Sequence, residues 1–241
     1  MSAPEKSYEK LISYVKGKVF DGTYKAGDRL PPERDLAMQL EISRNSVREG
    51  MRLLERMGII QTHQGSGNYI TTAKFADTFT EVMSMMYTLN EIGNEEIGDF
   101  RYTLEYGAMC LATSKATEKQ KQKLAYYMDR LEKSTTLEEQ VANEKVIHYV
   151  IMEASHNDYL IANLRALNRI MNMYIPTMRL RVIDRLNRGA DDLMNAHRGM
   201  VEGVIEGNKE KGIAALEDHF RLIREAELIE KEIQEQEKQR R

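Results

Sequence analysis

The chain has 241 residues, of which 41% are hydrophobic and 30% are charged, and it has a single cysteine. This composition is typical of a folded protein of one or two domains, and it excludes a disordered or disulfide-stapled chain. No apolar run approaches the roughly 20 residues of a membrane span, and the N-terminus lacks the apolar core of a signal peptide. We therefore expect a soluble cytoplasmic protein with no membrane partner.

The net charge of −3 argues at first against nucleic acid as a partner, but the charge is unevenly distributed. Residues 1–72 carry a net charge of +2, whereas the remainder of the chain carries −5. A mildly basic N-terminal part joined to an acidic C-terminal part is weak evidence that the former binds nucleic acid.

The first 71 residues predict three helices and a hairpin. An amphipathic helix over 8–20 is followed by a turn-rich connection and by a second helix that begins at Pro32. Ser43 is a suitable N-cap for a third helix that extends to about Met57. Two short β-prone runs then flank the turn QGSG, which predicts a hairpin. This order is the plan of a winged helix–turn–helix, with a junction to the next domain at 72–77.

The chain after residue 75 is rich in the residues that favour helices. Its apolar residues recur at spacings of three and four, as in Leu160, Leu164, Leu167 and Met171. No strand-like alternation is present in this part of the sequence. We therefore predict a mostly α protein, in which an all-α bundle of about six or seven helices follows the winged domain.

The third predicted helix has a cationic stripe on one side and an apolar stripe on the other. The stripes consist of Arg44, Arg48, Arg52 and Arg56, and of Val47, Met51 and Leu54. One explanation is a solvated face on which the arginines pair with Glu49 and Glu55. The second helix of a helix–turn–helix, however, places its N-terminal end in the major groove of DNA. Arginine can bind guanine, asparagine can bind adenine, and serine can bind phosphate. The position of these residues at the start of the helix therefore favours contact with DNA.

The segment LPPERDLAMQLEISRNSVREGMRLLERMGIIQTHQGSGNYI resembles the DNA-binding domain of GntR-family bacterial transcription regulators. The resemblance implies a DNA-binding domain over 1–73. It also implies contacts to double-stranded DNA from the start of the helix–turn–helix, the third helix and the wing. These residues are Arg34, Ser43, Arg44, Asn45, Ser46, Arg48, His63, Gln64 and Gly65. Whether His63 or Gln64 enters the minor groove is left open. Gly50 stands where alanine is usual, at an expected cost of about 1 kcal/mol of helix stability.

Three of the five histidines, together with one glutamate, form a second constellation. His148, four residues after Glu144, and the later His197 and His219 lie on three different predicted helices. Three imidazoles and a carboxylate from facing helices of a bundle can bind a divalent metal ion. Spacing alone also permits the simpler explanation, in which these histidines are scattered over the surface.

Residues 76–230 resemble the FCD effector domain of the FadR subfamily of GntR regulators, which implies an effector and dimerisation domain over 74–241. In that domain an Asp-x-x-Phe-His motif and two later histidines bind a metal. The resemblance implies Zn, Ni or Mn held by Glu144, His148, His197 and His219. Glu144 replaces the usual aspartate, so it is either a direct ligand or a partner of one.

Arg101 lies in the segment FRYTLEYGAMCLA, which resembles the Arg-x-x-x-Glu helix of the FCD domain. The resemblance implies that Arg101 helps to hold a small carboxylate effector. The alternative is an ordinary surface pair between Arg101 and Glu105, which would contribute about 0.3–0.5 kcal/mol.

These features favour a ligand-responsive transcription regulator that binds a short palindromic operator as a homodimer, and not an enzyme. A different reading is a metal-dependent hydrolase that uses the His/Glu site. Against this reading, no further carboxylate or histidine is placed by a motif to act as a general base. A third reading is a binding module without metal, if Glu144 prevents ion binding.

Overall fold

The computed structural model describes residues 6–71, 75–89 and 93–239. The chain divides into two compact units, Met1–Val82 and Met83–Arg241. The predicted domain boundary between residues 73 and 74, and with it the start of the predicted junction, lies outside the described residues. No helix in the described part of the chain combines the length and the apolar character needed to cross a membrane.

The first unit has the predicted winged helix–turn–helix plan. Its elements are α1 (Ser7–Phe20), α2 (Glu33–Leu40), α3 (Arg44–Arg56), β1 (Ile60–His63) and β2 (Gly67–Ile70). The two strands pair antiparallel, with Ile60 opposite Ile70 and His63 opposite Gly67. Arg29, in the predicted turn-rich connection, forms one further bridge with Tyr69. The connection thus extends the sheet at one edge.

A small apolar core holds the three helices and the hairpin of this unit together. It comprises Leu11, Val15, Leu30, Leu36, Ala37, Val47, Met51, Leu54, Ile60 and Ile70. α3 begins as predicted, because the side chain of Ser43 accepts a hydrogen bond from the backbone N–H of Ser46. The apolar stripe of α3 therefore faces the core, as the sequence predicted.

Gly50 lies at a close contact between α1 and α3. A Cβ atom at this position would lie 2.8 Å from Leu11 Cδ2 and 3.1 Å from the backbone oxygen of Tyr8. From the sequence alone, we expected this glycine only to lower the stability of the helix. In the fold it is the residue that allows the two helices to pack at this distance.

The second unit is all-helical. The division between the units falls within α4 (Phe75–Thr88), which is followed by α5 (Asn94–Lys115), α6 (Glu118–Lys133), α7 (Leu137–Ala154), α8 (Asp158–Arg185), α9 (Gly189–Glu206) and α10 (Lys209–Gln239). The described residues after 74 thus form seven helices, and the predicted bundle of six or seven is confirmed. Thr117, Thr136 and Asn157 cap α6, α7 and α8 with side-chain hydrogen bonds.

Two features of the bundle determine where its functional side chains lie. α9 and α10 approach so closely at Gly203 and Gly212 that a Cβ on Gly203 would lie 2.4 Å from the Cα of Gly212. α9 packs against α7, whereas α10 packs against α5 and α8, so the inner faces of both helices line the interior of the bundle. α8 contains Pro176 in its interior, and proline cannot donate the backbone hydrogen bond of that turn.

We predict that Gly50→Ala lowers the thermal stability of the winged unit, although alanine is the better helix former. Leu11 is fully buried, so it cannot move away cheaply, and overpacking costs about 1–3 kcal/mol against a gain of about 1 kcal/mol in propensity. Thermal unfolding of the full chain, followed by circular dichroism, measures the difference.

The matched control is Gly17→Ala in α1. A Cβ at this exposed helical position meets no atom within 4 Å, so alanine should stabilise the unit by up to about 1 kcal/mol. Equal stabilisation by both substitutions would show that the α1–α3 contact tolerates a methyl group.

Candidate functional site

The outer face of α3 carries the predicted DNA-contacting residues. Arg44, Asn45 and Arg48 are exposed, whereas Val47 and Met51 on the opposite face are buried. The guanidinium of Arg48 is held by the Glu33 carboxylate of α2, with Nε 2.9 Å from Oε2. This exposed pair joins the two helices of the helix–turn–helix and leaves the N-terminal end of α3 accessible.

Ser43 and Ser46 stabilise the start of α3. The hydroxyls of Ser43 and Ser46 lie 2.9 Å apart and form a hydrogen bond with each other. Arg34, at the start of α2, is exposed and lies 3.4 Å from Asp35. Arg34 and Ser43 are exposed and Ser46 is half-buried, so none of the three belongs to the apolar core.

The predicted wing residues form the exposed tip of the hairpin. His63 ends β1, and the turn is closed by a hydrogen bond from the N–H of Ser66 to the carbonyl of His63. Gly65 has a φ of +77°, a backbone conformation that favours glycine. His63, Gln64 and Gly65 are all exposed, and the His63 ring packs edge-on against Tyr69.

The structure brings His148 of α7, His197 of α9 and His219 of α10 together in the interior of the bundle. Each side chain is buried, and the three can offer ligand atoms that lie within 4.8 Å of one another. The ring centroids are 4.7–5.2 Å apart. The alternative of histidines scattered over the surface is therefore wrong for these three. We call them the histidine cluster.

Two of the rings in the histidine cluster are oriented by partners at Nδ1. His148 Nδ1 lies 2.5 Å from Glu105 Oε2, and His197 Nδ1 lies 2.8 Å from the Leu193 carbonyl. Because a carboxylate and a carbonyl accept hydrogen bonds, both Nδ1 atoms carry the proton. Each Nε2 atom then presents a lone pair, and the two Nε2 atoms face each other at 3.2 Å.

This arrangement suits a cation between the rings. Two lone pairs at that distance repel each other unless a positive charge lies between them. Two imidazoles on a tetrahedral zinc ion, at bonds of about 2.0–2.1 Å, have their nitrogens about 3.3 Å apart. Both ring nitrogens of the buried His219 are without a hydrogen-bond partner in the described part of the chain. The residues present therefore fit a metal ion.

Arg101 and Glu105 of α5 support the histidine cluster from one side. Arg101 Nε donates to Glu105 Oε1 at 2.5 Å, and both side chains are at least 96% buried. Burial by itself would raise the pKa of Glu105, but Arg101 and His148 overcome this effect and lower the pKa to about 2. The surface pair considered as an alternative is thus a buried pair that holds His148 in place.

Glu144 approaches the histidine cluster from another side and is paired with Arg179 of α8. Its Oε1 atom accepts a hydrogen bond from Arg179 and lies 3.7 Å from His197 Nδ1. Arg179 also donates from Nε and Nη2 to Gln140 Oε1, at 3.2 and 3.0 Å. Burial raises the pKa of Glu144 to about 7, against the opposing effect of Arg179.

The environment keeps all three histidines neutral. Burial lowers the pKa of each one, and neighbouring rings or arginines lower the pKa values of His197 and His219 further. Neutral imidazole is the form that binds metals. The cavity bordered by Arg101, Glu144, His148, Arg179 and His219 has space of about 20 Å³, enough for a single ion or water molecule.

Comparison with protein families identifies the two domains in which the exposed face of α3 and the histidine cluster lie. Residues 7–70 match the family model described as "Bacterial regulatory proteins, gntR family", and residues 96–222, more than half of the chain, match the FCD domain. The chain belongs to the GntR family. It is a transcription regulator with an FCD effector domain and not an enzyme, so the hydrolase reading is wrong.

Relatives of this GntR-family chain are named as an operon regulatory protein or as a transcriptional regulator. The "Putative L-lactate dehydrogenase operon regulatory protein" of Escherichia coli is 25% identical over 91% of this chain and 86% of its own length. The transcriptional regulator LutR of Bacillus subtilis is 26% identical over 83% of this chain and 91% of its own length. Among solved structures, Streptococcus agalactiae GntR has the same fold, with a TM-score of 0.65, 21% identity, and coverage of 91% of this chain and 99% of that one.

Within the FCD domain, the sequence identified the histidines, Glu144 and Arg101, and the structure brings all of them together. It did not identify Glu105 or Arg179 as parts of the site. The spacing of four residues between Arg101 and Glu105 was a visible signal for the first. No local signal pointed to Arg179, because its partners Gln140 and Glu144 lie more than 30 residues away.

We predict that the metal-free FCD domain loses stability as the pH falls below about 6.5. Unfolding lets three buried neutral histidines each take up a proton, and Glu144, with its raised pKa, releases one. The contribution of the histidines to the free energy of unfolding is present above pH 6.5 and is lost on acidification. The contribution of Glu144 is present at low pH and is lost as the pH rises through its raised pKa. Near pH 5 the net uptake on unfolding is at most about two protons, so the free energy of unfolding falls by at most roughly 3 kcal/mol per pH unit there, and more gently near pH 6.5.

Denaturant unfolding of the chelator-treated full chain at several pH values measures this slope. His219→Gln removes one titrating group and should reduce the slope by about half, whereas His156→Gln, at an exposed position, should leave it unchanged. Stability independent of pH over this window would contradict the assignment of neutral histidines.

Proposed function

We propose that this regulator binds a short palindromic operator as a homodimer and that a metal ion in its FCD domain binds a small carboxylate effector. The observation that carries the proposal is the convergence of three neutral imidazoles from three helices. A GntR winged helix implies an operator, and an FCD domain implies a small-molecule effector. The dimer, the metal and the chemical class of the effector are the parts that we add.

DNA binding rests on α3 and the wing. The exposed N-terminal end of α3 presents Arg44, Asn45 and Arg48, which can contact base edges in the major groove, while Arg34, Ser43 and Ser46 can contact phosphates. The wing tip, His63 to Gly65, would lie along the adjacent minor groove. Glu33 must release Arg48, or share it, when the helix binds DNA, because a carboxylate in this position is repelled by phosphates.

The metal would be held by His148, His197 and His219. Borderline imidazole ligands suit Zn, Ni or Mn. Glu144 can add a carboxylate oxygen if it leaves Arg179, and the Arg101–Glu105 pair fixes His148 for binding. When bound, the ion supplies a Lewis acid that attracts a carboxylate. Arg101 lies beside it with a guanidinium, which matches carboxylates in bidentate geometry.

We predict that Arg44→Ala and Arg48→Ala each weaken operator binding by about 1–3 kcal/mol, because each removes a contact to a base edge. The operator is first found by footprinting on genomic fragments, and affinity is then measured by fluorescence anisotropy at fixed salt.

The control is Arg56→Ala, at the other end of the same helix. It removes the same charge but lies far from the end of α3 that enters the groove, so its effect should be much smaller. Equal losses for Arg44, Arg48 and Arg56 would indicate a general electrostatic attraction, not recognition of bases.

We predict that replacing His148, His197 or His219 by alanine reduces the affinity for Zn²⁺ or Ni²⁺ by orders of magnitude. All three rings are needed to complete the ion's coordination. Isothermal titration calorimetry of the full chain gives the affinity, and the rise in melting temperature on metal addition gives an independent measure.

Two histidines outside the site provide matched controls. His63→Ala and His156→Ala should leave the metal affinity unchanged, because both residues are exposed and neither belongs to the histidine cluster. Glu105→Gln should reduce the metal affinity by about 10–100-fold, an effect between those of the cluster variants and those of the two controls. Undiminished metal binding in all three cluster variants would refute the proposed site.

A further inference from the structure

The helical unit has a second cavity, separate from the one beside the histidine cluster. It lies between the start of α5, the last turns of α8 and the C-terminal half of α10, and its volume is about 510 Å³. Apart from Gly93, every residue that lines it is polar or charged, and none of them lines the cavity beside the histidines. This space, which we call the α5–α10 cavity, is large enough for a small organic molecule.

Most charged side chains at the α5–α10 cavity have partners within the protein. Glu95 is paired with Lys231, and Glu230 is paired with Arg185 of α8, with Oε2 3.0 Å from Nη2. The carboxylate of Glu96 accepts a backbone hydrogen bond at the start of its own helix. These charges are therefore compensated without a ligand.

Glu227 of α10 and Arg181 of α8 are the exceptions. Glu227 is only 7% exposed, and its Oε1 atom has no hydrogen-bond partner among the described residues. Arg181 is half-buried and forms no hydrogen bond or ion pair within the same part of the chain. Burial raises the pKa of Glu227, and Arg181 is the strongest of the neighbouring charges that oppose this rise. The two groups thus lie near each other without pairing, although an unpaired buried carboxylate is costly.

A ligand that satisfies both groups must carry both charges. An ammonium group offers three N–H donors to a carboxylate, and a guanidinium binds a carboxylate in bidentate geometry. A divalent metal ion suits the cavity less well, because Arg181 would repel it. The described residues also contain no group of three metal-ligating side chains besides the histidine cluster. An α-amino acid carries the required ammonium and carboxylate on adjacent atoms.

We propose that the α5–α10 cavity binds a free α-amino acid, with its ammonium group at Glu227 and its carboxylate at Arg181. The polar lining favours a polar side chain on this ligand. The lining residues carry four carboxylates and two cationic groups, so a neutral or basic side chain is favoured over an acidic one. The regulator would then respond to a second small molecule at a site that does not involve the proposed metal ion.

The test uses the chelator-treated full chain, so that no metal ion can bind a carboxylate. L-Glutamine and L-serine are the probes for calorimetric titration, and L-glutamate is the acidic comparison for glutamine. Glutaramate and 3-hydroxypropanoate lack the ammonium group of the two probes, and 4-aminobutanamide and ethanolamine lack the carboxylate. We expect each analogue to bind at least about tenfold more weakly than its parent, because one hydrogen-bonded charge pair is lost.

Two substitutions test the two assigned residues separately. Glu227→Gln keeps the shape of the side chain but removes its charge, so the chain should lose its preference for an amino acid over the analogue without ammonium. Arg181→Gln should lose the preference over the analogue without carboxylate. Glu232→Gln on α10 and Arg169→Gln on α8, both at exposed positions outside the cavity, should behave as the wild type. The melting temperature of each variant establishes that it is folded.

Failure of both amino acids to bind at millimolar concentration would overturn the inference. An equal loss of amino acids and analogues in Glu227→Gln and Arg181→Gln would do the same, because it would show a merely structural role for these residues. Binding that persists in both variants but is lost in His219→Gln would place the ligand at the histidine cluster, also against the proposal. None of these outcomes measures metal affinity, so the proposed function is tested separately.

Discussion

Three uncharged imidazoles meet in the interior of the helical bundle, and the packing around them serves to keep them there. α7 is buried along most of its length, and the glycine contact between α9 and α10 brings two further rings to the same place. Such a group of polar rings is costly to bury unless its nitrogens have partners. The Nδ1 atoms of His148 and His197 each have a hydrogen-bond partner in the protein, whereas neither nitrogen of His219 has one among the described residues. An ion between the rings would satisfy the remaining nitrogens.

The buried charges around the rings have two different effects. The pair of Arg101 and Glu105 fixes a ring, because the carboxylate accepts a hydrogen bond from the Nδ1–H group of His148 and so turns Nε2 toward the other histidines. The pair of Arg179 and Glu144 holds a carboxylate back from the rings, since the arginine competes with any ion for the same oxygens. Glu144 stands where aspartate is usual in the FCD motif, and its carboxylate is paired with an arginine on another helix. If an ion binds as proposed, the first pair would orient a ligand for it, and the second pair would compete with it for the Glu144 carboxylate.

The sequence was sufficient for features that depend on local physics. The cap at Ser43, the hairpin around the Gly-rich turn and the helical periodicity after residue 75 were all visible in it, because each depends on neighbours within a few positions. Contacts between distant segments were not visible. The pair Arg101–Glu105 has the same spacing whether it is buried or exposed, and Arg179 meets its partners only when α8 packs on α7. From the sequence, Gly50 was interpreted only as a loss of helix stability, because Leu11 of α1, which occupies the space beside it, lies 39 residues earlier in the chain.

The proline inside α8 has a mechanical consequence for the cavity. Pro176 has no N–H group, so the carbonyl of residue 172 lacks the donor that a regular helix would supply. Ile175, Met178 and Arg179, which surround this turn, line the cavity beside the histidine cluster. A bend at the turn breaks one backbone hydrogen bond fewer than a bend elsewhere in the helix. α8 can therefore bend at this turn at a lower cost than a regular helix, and such a bend would move Arg179 relative to the rings on α7, α9 and α10 and so change the size of the cavity.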